Sequence, residues 1–134
     1  MALYANGSEV STLKAKVGSF TRVMDAADGN VSYTGVGFQP KAMWFWCTEN
    51  VQEYWSVGWS DAEATGGSNV CSYHNHVAET MTYNKGGRYT LSLRTGTGSF
   101  YGQIMSFDTD GFTVSWSMGG TETGTAQVGW LAIG

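Results

Sequence analysis

The chain has 134 residues, with 19 Gly, 15 Thr and 13 Ser against 5 Leu and a single Pro, so helix formers are too scarce for a helical bundle. Hydrophobic residues at 42% against 13% charged exclude a disordered chain, and the length fits one domain. A net charge of −4 with seven scattered basic residues argues against nucleic acid as a partner, and no run of eighteen apolar residues offers a helical membrane span.

Residues 1–16 are weakly patterned and read as a lead-in, or an arm reaching a neighbouring subunit, ahead of a single domain over 17–134. The opening Met1 to Ser8 has neither a basic nor an apolar signal-peptide region, so the expectation is synthesis in a cytoplasm without a secretion signal. Period-two alternation then predicts strands near 17–24, 31–37, 41–48, 53–60, 70–77, 79–84, 88–95, 99–107, 112–117 and 126–133. Between them lie turn-forming residues: Asp25 to Asn30, Gly66-Gly67, Asn84 to Gly87, Thr95 to Gly98, and Asp108 to Gly111. Nine or ten short, evenly spaced strands without a helical period predict an all-β chain. Its architecture is expected to be an antiparallel two-sheet β-sandwich, jelly-roll-like.

Alternation also predicts which side chains face inward. Phe112, Val114 and Trp116 form one such set, Tyr89, Leu91 and Leu93 a second, and Trp55, Val57 and Trp59 a third. Residues 42–47 and 128–133 are apolar on both faces. Such strands belong at the centre of a sheet, covered on one side by the second sheet and on the other by a loop or a neighbouring subunit. Cys47 and Cys71 fall within strands and read as buried free thiols.

Residues that could carry chemistry are few. His74 and His76 would project from one face of a strand, and three such pairs around a trimer axis would supply six nitrogens to a metal ion. They share that face with Ser72, however, which reads as a solvated polar face, so no metal and no cofactor is assigned. Asp108-Thr-Asp-Gly111 opens like a calcium loop but continues with Phe112 and lacks a closing Glu. It reads as a β-turn in which Gly111 takes a backbone angle other residues avoid. Glu49, Glu53, Asp61 and Glu63 flank the Trp55–Trp59 segment, where paired carboxylates would serve a glycosidase, yet they read as ordinary solvated charges. No catalytic residue is assigned. Trp44, Trp46, Trp55 and Trp59 read as core by default. If exposed, they mark a subunit interface or a platform for stacking sugars.

Three segments resemble a known group. Thr34 to Trp46 (TGVGFQPKAMWFW), Ser106 to Trp116 (SFDTDGFTVSW) and Ala126 to Gly134 (AQVGWLAIG) are similar to short tailed-bacteriophage virion proteins. Those proteins carry a GVGFxPKA segment before an apolar strand and a VGxLAxG strand. The resemblance implies a β-sandwich structural component of a virion, on the head surface or in the tail, and carries over no catalytic residue. Within the motif, Gly35 and Gly37 permit a tight bend and Phe38 follows. Pro40 fixes φ just before a strand, and Lys41 starts that strand at its solvent end. The segment reads as a register-setting corner.

The functional expectation is therefore a non-enzymatic virion protein, head decoration first and tail or fibre second. It would assemble as a symmetric oligomer, a trimer by preference, against capsid or tail proteins. The alternative is a carbohydrate-binding module that recognises a host surface glycan through exposed Trp or Tyr. Neither nucleic acid nor membrane is expected as a partner.

Overall fold

The computed structural model describes residues 3–5, 8–10, 12–49, 54–61, 69–75, 80–87, 89–94 and 98–134. In chain order the strands are β1 (Leu3–Ala5), β2 (Ser8–Val10), β3 (Ala15–Val23), β4 (Gly29–Thr34), β5 (Ala42–Glu49) and β6 (Trp55–Ser60). They continue with β7 (Asn69–Asn75), β8 (Thr80–Gly87), β9 (Leu91–Arg94), β10 (Gly98–Asp108), β11 (Gly111–Gly120) and β12 (Thr125–Ile133). Among the described residues there is no helix, and hence none long and apolar enough to cross a membrane.

Ten of these strands form two antiparallel sheets. One has six strands in the order β3-β12-β5-β6-β7-β8, and the other has four in the order β4-β11-β10-β9. β1 and β2 pair only with each other. The predicted β-sandwich is what forms. Its strands match those expected from alternation, apart from β1 and β2, whose three-residue length leaves no period to detect.

The core lies between the sheets and is aromatic at its centre. Phe112 of β11 meets Phe45 of β5 at 5.5 Å and Trp130 of β12 at 5.8 Å, both edge to face, while Phe100 stacks on Trp116 at 4.9 Å. Edge-to-face and offset contacts of this kind suit the ring quadrupole. Rings this large need small partners. A Cβ on Gly102 would fall 2.8 Å from the Trp116 ring, and one on Gly18 would overlap Trp130. Phe112, Val114 and Trp116 are all buried, as alternation predicts, and so are Leu91 and Leu93. Cys47 and Cys71 are buried free thiols.

One inward set is reversed. In β6 it is Ser56, Gly58 and Ser60 that face the core, while Trp55 and Val57 are exposed and Trp59 is half-buried. The reason lies across the sandwich. β9 packs closely over β6, and the Ser92 amide donates to Ser56 Oγ at 3.2 Å. That approach leaves room only for small residues, so the large side chains of β6 turn outward.

Candidate functional site

The three segments that carry the resemblance meet at one corner. β4 ends at Thr34 because Gly35 (φ +91°) and Gly37 (φ +88°) adopt angles that side chains disfavour. The resulting bend turns three successive amides toward Asp110. The Gly35 amide donates to Asp110 Oδ2 at 3.1 Å, the Gly37 amide to Oδ1, and the Val36 amide to the Asp110 carbonyl at 3.1 Å. Two amides thus hold the Asp110 carboxylate while the one between them holds its carbonyl, so the backbone donors of the bend are satisfied from within the chain.

Asp108 is engaged as well. Its carboxylate accepts hydrogen bonds from Ser106 and Thr113, both at 2.8 Å. The β10–β11 connection is thus a two-residue turn with Asp108 paired to Gly111. Gly111 does not take the unusual angle expected of it. It is needed because a Cβ there would collide with the Tyr33 carbonyl of neighbouring β4. The last segment closes the corner, with the Lys41 amide donating to the Ile133 carbonyl at 2.7 Å and Phe38 lying against Gly134. Pro40 is buried and Lys41 exposed. Beside them, Gln39, Pro40, Lys41, Asp61, Met105, Ser106 and Phe107 line a groove of about 470 Å³.

The second feature is the outer face of the six-stranded sheet. Cross-strand register places Val17, Leu131, Trp44 and Trp59 in one row, and Ser19, Gly129, Trp46, Val57 and Ser72 in the next. A third row holds Thr21, Gln127, Thr48, Trp55 and His74. Trp44, Trp46 and Trp55 are 42%, 47% and 39% exposed, and Val17 and Val57 are 66% and 44% exposed. Trp44 stacks on Trp59 at 6.2 Å, and Trp55 lies nearly parallel to the His74 imidazole at 6.0 Å. Trp46 lies over Gly129, where any Cβ would meet the indole. No charged residue occupies an outward position of β3, β12, β5 or β6.

These positions correct the default reading of the tryptophans as core: Trp44, Trp46 and Trp55 stand outside it. Their visible signal was the doubly apolar segment 42–47, whose second face is this one. The expected polar face around His74 is also modified. Ser72 and His74 do oppose buried Cys71, but the neighbour of His74 is Trp55. His76, Glu53 and Glu63 lie outside the described residues. Among the described residues no three His, Cys, Asp or Glu side chains gather as a metal site would need.

The acids divide differently from their sequence order. Glu49 is buried on the inner face, its carboxylate beside Gly124, and burial together with the charge of Glu122 raises its pKa. It therefore lies on the opposite side of β5 from Trp44 and Trp46, and shares no cleft with them. Asp61 stands apart, half-buried in the Lys41 groove.

Fold and face together define a β-sandwich with one broad aromatic sheet face that is uncharged across β3, β12, β5 and β6. No family model, curated protein or solved structure matches the chain.

Proposed function

We propose that this chain is a non-enzymatic structural protein of a tailed-bacteriophage virion, in head decoration by preference and otherwise in the tail or fibre. It would work by burying the outer face of its six-stranded sheet against other protein. The observation that carries the reading is that face: three exposed tryptophans with exposed valines and, across β3, β12, β5 and β6, no charge. Isolated exposed apolar residues are ordinary on a monomer, but a contiguous patch of this kind belongs to an interface. Apolar neighbours favour protein over sugar. A sugar site needs polar groups beside its rings to hold hydroxyls, and Trp44 and Trp46 are flanked by Leu131, Gly129, Trp59 and Val57.

The virion assignment draws on the resemblance, and the corner supports treating its three segments as one unit. Gly35 and Gly37 bond to Asp110 and Lys41 bonds to Ile133, so the first segment is hydrogen-bonded to each of the other two. Such a unit explains why the segments occur together and gives them a structural role.

A second reading, binding of a host surface glycan, rests on Trp55, which has the polar His74, Thr48 and Thr21 in its row. Two measurements decide between them. Immunogold labelling of purified particles with an antibody to this chain should decorate the head or tail. Absence of the chain from purified particles would overturn the virion assignment. Glycan-array binding abolished by Trp55→Ala would move the assignment to a sugar-binding module.

A further inference from the structure

We infer that the partner covering the outer face is a second copy of this chain, related by a two-fold axis running parallel to the strands between β12 and β5. This rests on the reading of that face as a protein interface and names its occupant.

The first support is area. At the ~150–250 Å² an aromatic side chain can bury, the exposed fractions of Trp44, Trp46, Trp55, Val17, Val23 and Val57 amount to roughly 600 Å². Half-buried Leu131, Ile133 and Trp59 extend the same patch. A stable interface takes about 800 Å² from each partner. The patch therefore matches one partner of standard size.

The second support is the shape of the face about that line. On one side stand β5 and β6, with Trp44, Trp46, Trp55 and Trp59. On the other lie β12, with Gln127, Gly129, Leu131 and Ile133, and β3, with Val17, Ser19, Thr21 and Val23. The two halves are each two strands wide and share one boundary, and the four tryptophans stand on one half only. Rotation about that boundary sets the tryptophan half of each copy on the aliphatic and hydroxyl half of the other and keeps the rows level. Trp55 then faces the second copy's Thr21, Val57 its Ser19, and Trp59 its Val17. Trp46, leaning over Gly129 toward the axis, meets its own equivalent. An isologous contact requires one patch to complement itself in this way.

Charge is the third support. The chain carries −4 overall, yet the outward positions of these four strands carry none. Two copies can therefore meet there without opposing like charges.

The test is sedimentation velocity across a micromolar dilution series on three proteins: the wild type, Trp55→Glu and Thr21→Lys. The wild type should sediment as a dimer. Each variant alone should be monomeric, because its own contact buries two unpaired charges. An equimolar mixture should restore a dimer, because the Glu of one chain faces the Lys of the other. Circular dichroism establishes that each variant is folded. Val57→Glu with Ser19→Lys repeats the design one row away if either first variant fails to fold. A wild type that is monomeric throughout, or trimeric, overturns the inference, as does a mixture that stays monomeric. A monomer found on purified particles would leave the interface reading standing while removing the second copy.

Discussion

Buried titratable side chains make the most direct predictions at the scale of single residues. Burial raises the pKa of both thiols, to about 12 for Cys71, while the hydrogen bond from Ser56 acts to lower it. Thiolate is the reactive form, so neither cysteine should react with Ellman's reagent in native protein at pH 8. Both should react once the chain is unfolded in guanidinium; rapid native labelling would show that β5 or β7 opens easily. Glu49 is raised above its ordinary 4.5 by burial and then by Glu122, so the folded chain holds that proton more tightly than the unfolded chain does. Linkage fixes the sign: the associated stability is complete below 4.5 and is lost as pH rises through the folded value. Glu49→Gln should accordingly raise the melting temperature at pH 7 and flatten its decline as pH rises above 4.5. A variant less stable at pH 7 than the wild type would show that the ionised carboxylate is better held than its burial indicates.

At the scale of elements, the corner ties the end of β4 to the β10–β11 turn and the start of β5 to the end of β12. Asp110→Ala removes the acceptor of the Gly35 and Gly37 amides, and should cost about 1–2 kcal/mol in denaturant unfolding. Asp110→Asn keeps one oxygen and should cost less. Equal losses for the two variants would place the effect in the turn itself. Gly37→Ala has room for its Cβ but not a favourable φ, so it should cost about 1 kcal/mol with no change in packing. The corner was legible in the sequence as a bend, because two glycines and the lone proline bracket Phe38. Its partner was not, because no spacing rule links Gly35 to an acid 75 residues away. Strand positions were legible for a similar reason, since alternation is local. The direction in which a strand faces is not local. Trp55, Val57 and Trp59 alternate as a core-facing set would, and only the approach of β9 over Ser56 turns them outward. A doubly apolar strand such as β5 was the one sequence feature that required an apolar outer face, and there the sequence pointed to Trp44 and Trp46 without distinguishing core from interface.

At the scale of the whole molecule, the sandwich is asymmetric in what it shows to solvent. Its six-stranded sheet exposes large apolar side chains along β5 and β6, whereas the outward-lying positions of β11 carry Thr113, Ser115 and Ser117. Thr113 and Ser32 of neighbouring β4 hydrogen-bond to each other at 2.8 Å, so that face satisfies itself with hydroxyls. Assembly through the apolar face stabilises the folded chain by mass action, so the melting temperature should rise with protein concentration. Because β3, β12, β5 and β6 present no charge on that face, sodium chloride should change that slope little, whereas sulfate, which favours apolar burial, should steepen it. Trp44→Ser removes one ring from the patch without touching the core side of β5. It should abolish the concentration dependence and leave the dilute-limit melting temperature nearly unchanged. A variant that melts lower even at the dilute limit would show that Trp44 and Trp59 support the protomer itself, and that their stacking is not reserved for a partner.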